Sequence, residues 1–227
     1  MTLNPQPGVR CEPLRRRLVV GYLRLRDRLA RDRMTVVNDR KLLSLRGVFA
    51  PDSFTTNLLA RNVDRLRGKS VLELGCGAGA LAVLSHGIAA SYRCADISEL
   101  AVHNTRLNLQ LHHIDDVPVF VADLFNGLPD RADVILFNAP FFPGEASSEA
   151  DRKFLGGSEL LQRFLREAPT HLRPGGEIWL THSDIADEPG FLRALDQAGF
   201  AWEVIDRDAI WIETFKLYRV TPGEESR

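Results

Sequence analysis

Residues 71–83 read VLELGCGAGALAV, an apolar strand followed at once by three spaced glycines and a helix-forming run. Gly75, Gly77 and Gly79 lack a Cβ atom, so the loop backbone can approach a ligand closely where a parallel strand ends. Position 80 is Ala, which makes the pattern GxGxG rather than the GxGxxG of dinucleotide sites. The segment therefore predicts a strand–loop–helix unit with a ligand at its tip, and it leaves the ligand open.

From Lys69 onward the chain alternates short apolar runs with helical stretches. This alternation predicts an α/β fold in which helices cover both faces of a mostly parallel, seven-stranded sheet. Residues 201–222 leave no room for a crossover helix, so they predict two strands joined by a tight turn, at least one of them antiparallel. The other five predicted strands are SVLELG, SYRCADI, PVFVAD, ADVILFNAP and GEIWLTHS, and the predicted helices cover residues 79–86, 98–111, 157–172 and 189–198.

We divide the chain into an N-terminal extension, residues 1–50, and a main domain, residues 51–227. The extension begins with apolar residues at spacings of three and four, which predict an amphipathic helix. These residues are Leu14, Leu18, Tyr22, Leu25 and Leu29. We expect this face to pack against its own domain, and a lid over the substrate or a dimer contact are the alternatives. The oligomeric state stays open.

Two further elements are predicted between this helix and the glycine loop. MTVVNDRKLLSLRGVFAP predicts a β-hairpin with Asn38 and Asp39 in its turn. DSFTTNLLARNVDRL begins with helix-capping residues and continues with a leucine-rich face, so it predicts a helix that leads into the main domain.

The composition is that of an ordinary globular protein, with 44% hydrophobic and 26% charged residues. No apolar run approaches the roughly 20 residues that span a bilayer, and the first ten residues lack the apolar part of a secretory signal. We therefore expect a cytoplasmic protein without a membrane contact. Three cysteines without a CxxC pair indicate neither a disulfide framework nor a metal site.

Charge is unevenly distributed along the chain. Residues 1–50 contain twelve Arg or Lys and four Asp or Glu, a balance of +8 in a chain of net charge −1. Such a segment is typical of a surface that binds nucleic acid or another acidic partner, and equally of a solvated helix face.

Acidic residues stand at the ends of three predicted strands. Glu73 lies two positions before the first glycine. Asp96 closes the next strand, where its carboxylate can accept hydrogen bonds from both hydroxyls of a ribose. Asp123 closes a third strand, in reach of an adenine amino group, with Leu124 beside the ring. Together these strand ends predict a nucleoside site that requires no diphosphate.

VLELGCGAG, ADIS with Asp96, VAD with Asp123, and NAPF resemble, in this order, the motifs of Rossmann-like S-adenosylmethionine-dependent methyltransferases. The resemblance covers residues 50–220 and implies that family's sheet with an inserted antiparallel strand, and S-adenosylmethionine as cofactor. It places the methionine end at Glu73 and the loop, the ribose at Asp96 and the adenine at Asp123. The residues assigned to the cofactor are Thr55, Glu73, Gly75, Cys76, Gly77, Gly79, Asp96, Ile97, Asp123, Leu124 and Asn138.

The string NAPFF, residues 138–142, ends a predicted buried strand beside the expected cofactor. The side-chain oxygen of Asn138 and the backbone carbonyl of Ala139 can accept both hydrogens of one planar NH2 group, which aims the nitrogen lone pair at a methyl donor. Pro140 would stiffen the turn, and Phe141, or Phe142 in its place, would stack on the substrate. The string resembles the NPPY or NPPF motif of methyltransferases acting on amide or exocyclic amino nitrogen, with Ala139 in place of the first proline.

GVFAPDSFTTNLL, with Thr55 at the cofactor, and GGSELLQRFLREAPTHLRPGGEIWLTHS resemble the HemK or PrmC-like protein glutamine methyltransferases of the small-domain group. That group also includes enzymes that methylate guanine or adenine amino groups in RNA. We therefore expect methylation of a protein glutamine. The alternatives are a nucleic-acid base methyltransferase, which the basic first fifty residues favour, and a small-molecule methyltransferase. A binding protein without transfer activity and a dehydrogenase-like nucleotide binder are further alternatives.

Overall fold

The computed structural model describes residues 12–128, 131–142, 155, 157–210 and 213–223. Its strands are β1 (Arg33–Val37), β2 (Arg40–Ser44), β3 (Ser70–Leu74), β4 (Ser91–Asp96), β5 (Val119–Val121), β6 (Ala132–Phe137), β7 (Leu172–Ser183), β8 (Phe200–Ile210) and β9 (Glu213–Pro222). Its α-helices are α1 (Glu12–Leu29), α2 (Phe54–Ala60), α3 (Ala80–Ser85), α4 (Glu99–Leu111), α5 (Gly157–His171) and α6 (Glu188–Gln197), and a 3-10 helix covers Val63–Leu66.

Strands β3 to β9 form one sheet in the order β5-β4-β3-β6-β7-β9-β8. Neighbours are parallel from β5 to β7, and β9 runs antiparallel to both β7 and β8. The predicted seven-stranded sheet with an antiparallel C-terminal strand is therefore confirmed. Residues 211 and 212, between the last two strands, lie outside the described residues.

Helices cover both faces of this sheet, as predicted, and each face has its own apolar core. Val71 of β3 points into a core with residues of α2, α3 and α4. Its neighbour Leu72 points into the opposite core, which contains Phe164 of α5 and Leu195 of α6. Successive side chains of a strand alternate between faces, so the apolar run in β3 is explained by burial on both sides.

Several elements differ from the prediction in their extent, and β6 ends at Phe137, three residues before the predicted end. The helix predicted after Asp52 is divided, because Asn62 follows α2 and donates its side-chain amide to the backbone carbonyl of Leu58 at 2.9 Å and to Asp206 at 2.5 Å. Such local side-chain hydrogen bonds compete with helix continuation. Strand β7 starts at Leu172, four residues before the predicted start, and its pairing with β6 contains a register shift near Val134.

The predicted hairpin forms from β1 and β2, and Asn38 and Asp39 turn the chain with φ values of 44° and 63°. Two buried asparagines of α4 attach β2 to the main domain. Asn104 bonds the backbone N–H of Leu45 and the carbonyl of Leu43 at 2.9 Å each. Asn108 bonds both backbone groups of Leu43 and also the carbonyl of Ala78 in the glycine loop, at 2.7 to 2.8 Å. The hairpin is thereby joined to the loop.

The predicted amphipathic helix α1 forms, but the face expected to pack is exposed. We call this face the outer stripe; its side chains are Leu14, Leu18, Tyr22, Leu25 and Leu29, exposed by 62%, 64%, 59%, 56% and 70%. Val19, Val20 and Leu23 pack instead, against a cluster that contains Phe142 and Ile185. The helix carries apolar residues on two sides, and the spacing rule selected the longer row, which is the wrong one for intramolecular packing.

Within the described part of the chain, no helix is both long and apolar enough to cross a bilayer. The same residues contain no group of three or more His, Cys, Asp and Glu side chains that could hold a metal ion.

Candidate functional site

The strand order places the tips of β3 and β6 side by side at the carboxyl edge of the sheet. The chain runs outward from β3 to β5 and then returns to pair β6 with β3, which creates a topological switch point. A pocket opens there between the glycine loop and the NAPF string. Its lining includes Phe49, Pro51, Thr56, Glu73, Gly75, Cys76, Gly77 and Asn138.

The backbone of the glycine loop has a shape that side chains at three positions would strain. Gly75, Gly77 and Gly79 have φ values of +70°, +56° and +75°, a region that L side chains rarely enter. A Cβ atom on Gly79 would also lie 2.7 Å from Thr105 of α4. The Thr105 hydroxyl bonds the carbonyl of Gly77 at 3.0 Å and the sulfur of the buried Cys76 at 3.3 Å. Helix α4 therefore holds the loop from behind.

Glu73 lines the pocket and is buried. Tyr92 donates its hydroxyl hydrogen to Glu73 Oε2 at 2.9 Å. Burial raises the pKa of Glu73 to about 8, and the Tyr92 hydrogen bond offsets only part of this effect. The carboxyl is thus neutral at pH 7 and becomes a carboxylate readily when a cation arrives beside it.

Asp96 and Asp123 follow the tips of β4 and β5 as predicted, in different surroundings. Asp96 Oδ2 accepts the Gly77 N–H at 3.0 Å and Oδ1 accepts the Ser98 N–H at 2.9 Å, which leaves lone pairs for further donors. Burial raises the pKa of Asp96, with these backbone hydrogen bonds opposing the rise. Asp123 forms an ion pair with Arg163 of α5 at 2.9 Å.

The other predicted cofactor residues are divided between surface and interior. Ile97 is 61% exposed, whereas Leu124 is buried in the second core with φ +51°. Thr56 lines the pocket, while its neighbour Thr55 is buried with its hydroxyl 3.2 Å from Ser53 Oγ. A role for Thr55 at the cofactor stays a prediction.

Asn138 projects from the tip of β6 into the same pocket as Glu73. Thr181 of the neighbouring β7 is buried and donates its hydroxyl hydrogen to Asn138 Oδ1 at 2.6 Å. This hydrogen bond orients the amide, and the oxygen keeps a second lone pair for a substrate N–H. Sequence reasoning missed Thr181, because only the pairing of β6 with β7 brings the two residues together.

The two phenylalanines of the string differ in burial. Phe142 is 3% exposed, whereas Phe141 is only partly buried. The Phe141 ring centroid lies 4.9 Å from that of Phe142 and 5.5 Å from that of His182. Phe141 is therefore the ring with surface available for stacking. Helix α5 begins directly behind it, where a Cβ atom on Gly157 would lie 2.3 Å from the carbonyl oxygen of Pro140.

Further buried polar groups that the sequence did not indicate follow Thr181 on β7. His182 stacks on Phe191 with centroids 4.4 Å apart, burial lowers its pKa to about 4, and its Nδ1 has no hydrogen-bond partner among the described residues. Ser183 donates to Glu213 Oε1 at 2.5 Å. Burial raises the pKa of Glu213 to about 7, which the Ser183 hydrogen bond opposes. This end of the sheet is thus rich in groups that titrate away from their usual range.

Comparison with known proteins identifies the family. A family model described as Methyltransferase small domain matches residues 39–198, well over half of the chain. The chain belongs to the methyltransferase small domain family. Within this small-domain methyltransferase, the matched residues run from the hairpin turn to the end of α6 and include every pocket residue described above.

Two relatives differ in their named acceptor. A relative from Methanocaldococcus jannaschii, named as a protein N5-glutamine methyltransferase, is 31% identical over 158 residues, covering 66% of this chain and 80% of the relative. A ribosomal RNA small subunit methyltransferase C from Hamiltonella defensa is 29% identical over 189 residues, covering 82% of this chain and 51% of the relative. The small-domain methyltransferase thus spans only about half the length of that RNA-modifying relative.

A solved structure shares the fold. The 16S rRNA N2 G1207 methyltransferase of T. thermophilus, in complex with AdoMet and guanosine, superposes with a TM-score of 0.61 and 22% identity, covering 85% of this chain and 50% of that one.

The small-domain methyltransferase is an enzyme that uses S-adenosylmethionine. The pocket, together with Asp96, which lies outside its lining but bonds the Gly77 N–H, fits this cofactor chemically. A buried carboxyl suits an ammonium group, carboxylate oxygens with remaining lone pairs suit a ribose diol, and the glycines leave room for close backbone approach.

Proposed function

We propose that this enzyme methylates the planar NH2 group of a protein glutamine side chain. The observation that carries the proposal is that Asn138, the glycine loop and Glu73 line a single pocket. An amide-accepting side chain thus lies next to the place where the methyl donor is expected.

In the proposed complex, Glu73 pairs with the ammonium group at the methionine end and the backbone of Gly75, Cys76, Gly77 and Gly79 packs along it. Asp96, with Ile97 beside it, accepts hydrogen bonds from the ribose hydroxyls. The adenine lies against Leu124, and its amino group donates a hydrogen bond to Asp123. To accept this hydrogen bond, Asp123 gives up part of its ion pair with Arg163. Thr55 helps to hold the cofactor through α2.

An amide nitrogen is a weak nucleophile because its lone pair is delocalised into the carbonyl group. Asn138 Oδ1 and the backbone carbonyl of Ala139 accept its two hydrogens, which returns electron density to nitrogen and fixes its direction. Phe141 stacks on the amide plane, and Pro140 restricts the turn between them. S-adenosylmethionine, when bound, supplies an electrophilic methyl group on a sulfonium sulfur.

Glutamine is favoured over other acceptors by the relatives. The glutamine-named relative matches over most of its length, whereas the RNA-named relative matches over half of its own. A guanine amino group in RNA is the second candidate, because residues 1–50 carry a balance of +8, and cationic side chains attract phosphates. A small-molecule amide or amine is the third.

A labelled-methyl assay tests the acceptor. The purified protein would be incubated with S-adenosylmethionine carrying a radioactive methyl group and, separately, with glutamine-containing peptides, bulk RNA and a metabolite extract. We expect label in the peptide. Label confined to RNA, or to the metabolites, would replace glutamine by that acceptor class.

Replacing Asn138→Ala tests the mechanism for any acceptor. Loss of one preorganised hydrogen-bonding group is expected to lower kcat by about 100-fold or more, while affinity for S-adenosylhomocysteine, measured by calorimetry, stays nearly unchanged. Gln110→Ala, which removes an exposed amide from α4, is the matched control and should behave as wild type. Retained turnover in Asn138→Ala would remove this residue from the mechanism.

A further inference from the structure

The outer stripe of α1 is a continuous apolar surface that nothing in the described structure covers. Its five large side chains are between 56% and 70% exposed. At 3.6 residues per turn they fall within an arc of about 80° and extend for about 22 Å along the helix. Single exposed apolar residues are common on proteins, whereas a contiguous row of this size marks an interaction surface.

Arginines border the outer stripe on both sides. By helical spacing, Arg17, Arg24 and Arg28 follow one edge and are exposed. Arg15 and Arg26 follow the other edge and are half-buried, and Arg15 lies close enough to Glu213 to lower the pKa of its carboxyl. Asp27 lies on the opposite side of the helix, toward the packed residues. The surface is therefore a narrow apolar row between two cationic edges.

We propose that the outer stripe is a docking surface for an acidic amphipathic helix of a protein partner. Helices that pair lengthwise use a narrow apolar row, and the charges that border the row select the partner. Arginine edges require glutamates or aspartates along the edges of the incoming helix. The apolar rows supply the buried area, and the bordering ion pairs set partner choice and orientation.

Other occupants fit this surface less well. Two copies of α1 pairing through their outer stripes would bring arginine edges against arginine edges, which is repulsive at close range. Nucleic acid would place phosphates over five apolar side chains. A lipid surface suits helices with a broad apolar face, whereas this row is narrow.

The position of α1 relates the docked partner to the pocket. The inner side of α1, with Val19, Val20 and Leu23, packs on a cluster that contains Phe142, and Phe141 packs against the same cluster. A helix on the outer stripe would therefore lie one helix layer away from the string NAPF. Phe49, which lines the pocket, packs against the same cluster, so the partner would bind one helix layer away from the pocket.

The test uses the full-length protein and two synthetic helical peptides of equal length, both with leucines in one row. One peptide has glutamates along the edges of the row and the other has lysines. We expect the glutamate peptide to bind in fluorescence anisotropy, with affinity that weakens as salt rises, and the lysine peptide not to bind. Leu18→Asp with Leu25→Asp should weaken binding at least about tenfold.

A second variant, Arg17→Glu with Arg28→Glu, should bind the glutamate peptide more weakly than wild type does and should bind the lysine peptide more tightly. All variants should keep the wild-type melting temperature and bind S-adenosylhomocysteine normally, since these side chains are exposed. The proposal is overturned if the glutamate peptide does not bind wild type, or if it binds the Leu18→Asp with Leu25→Asp variant as tightly as wild type. It is also overturned if sedimentation shows a wild-type dimer that Leu18→Asp with Leu25→Asp dissociates, or if vesicles with anionic lipid bind and the peptide does not.

Discussion

Glu73 carries a buried carboxyl group in the lining of the pocket, and its protonation state depends on what lies beside it. The ligand-free pKa of about 8 keeps it neutral at pH 7. An ammonium group beside it favours the carboxylate and lowers this pKa, so the proposed pairing requires that a proton leave. Cofactor affinity and pH are therefore linked through one residue.

We predict that binding of S-adenosylhomocysteine at pH 7 releases a proton and that affinity rises with pH until it levels off above about 8. Calorimetry at pH 7 in phosphate and in Tris, which differ in ionisation enthalpy, measures this proton as a difference in heat. Glu73→Gln should abolish the difference, and adenosine, which has no ammonium group, should show none with wild type. If wild type bound S-adenosylhomocysteine with equal heats in the two buffers, the pairing would be contradicted.

The stability of the ligand-free protein should respond to pH in the opposite sense. Because the folded pKa of Glu73 is raised above its ordinary value of 4.5, the folded state retains a proton that the unfolded chain releases. This contribution to stability is complete below about pH 4.5 and is lost as pH rises through about 8. Glu73→Gln should remove that part of the pH dependence in thermal melts.

Thr181 contacts the string NAPF through Asn138. Its hydroxyl fixes the direction of Asn138 Oδ1, so we assign it the role of a positioning residue. Thr181→Val keeps the volume and removes the donor. A lost hydrogen bond of this kind is worth about 1 kcal/mol, so we predict a several-fold to tenfold fall in kcat with little change in the KM for the cofactor.

Thr181→Ser restores the hydroxyl and should recover most of the activity. Thr170, an exposed threonine on α5 whose hydroxyl bonds the Glu167 carbonyl, provides the control variant Thr170→Val. If Thr181→Val were as active as wild type, or Thr181→Ser as inactive as Thr181→Val, the positioning role would be wrong.

At the scale of elements, the string NAPF is held between two neighbours. Strand β7 contacts it through Thr181, and the first residue of α5, Gly157, lies against the Pro140 carbonyl. The start of α5 leaves no space for a side chain there. Helix α5 thus restricts where the Pro140 carbonyl and the Phe141 backbone can lie.

We predict that Gly157→Ala displaces the Pro140–Phe141 backbone, since its Cβ atom would lie 2.3 Å from the Pro140 oxygen. Overpacking of this kind costs about 1–3 kcal/mol of stability, and the loss of kcat should exceed any loss of cofactor affinity. Gly21→Ala is the control, because Gly21 is a helical glycine with nothing within 4 Å of an added Cβ. It should stabilise α1 by up to about 1 kcal/mol. Equal kcat in Gly157→Ala and wild type would mean that the string tolerates the shift.

The hairpin illustrates a contact between elements that sequence patterns do not show. Asn104 and Asn108 lie in an amphipathic helix, where polar residues are normally expected to face solvent. Here they are fully buried and bond the backbone of β2 and of Leu45 after it, on the side where β2 has no neighbour among the described strands. The amides replace the missing strand partner and satisfy its backbone groups.

At the scale of the whole molecule, the two cores and the switch point place one pocket at one edge of the sheet, and α1 adds a second surface beside it. The first fifty residues carry a balance of +8, which lies partly along the edges of the outer stripe. The pocket itself contains the buried carboxyl group of Glu73. Cofactor binding and partner binding are thus proposed for two separate surfaces.

The sequence by itself determined the alternation of strands and helices in the central unit, the glycine loop, and the acidic and NAPF residues at the strand tips. Each of these is a local pattern, since the alternation of apolar runs with helical stretches, the glycine spacing and the strand ends can be recognised from a few neighbouring residues. The position of Asn138 next to the loop followed from the rule that parallel strands end at one edge.

Only the tertiary structure decided which side of α1 packs, which threonine orients Asn138, and how the hairpin is joined to the glycine loop. These outcomes depend on contacts between residues far apart in the chain, such as Thr181 with Asn138 and Asn108 with Ala78. A helix with two apolar sides has no local signal that distinguishes them, because the choice depends on the shape of the surface opposite.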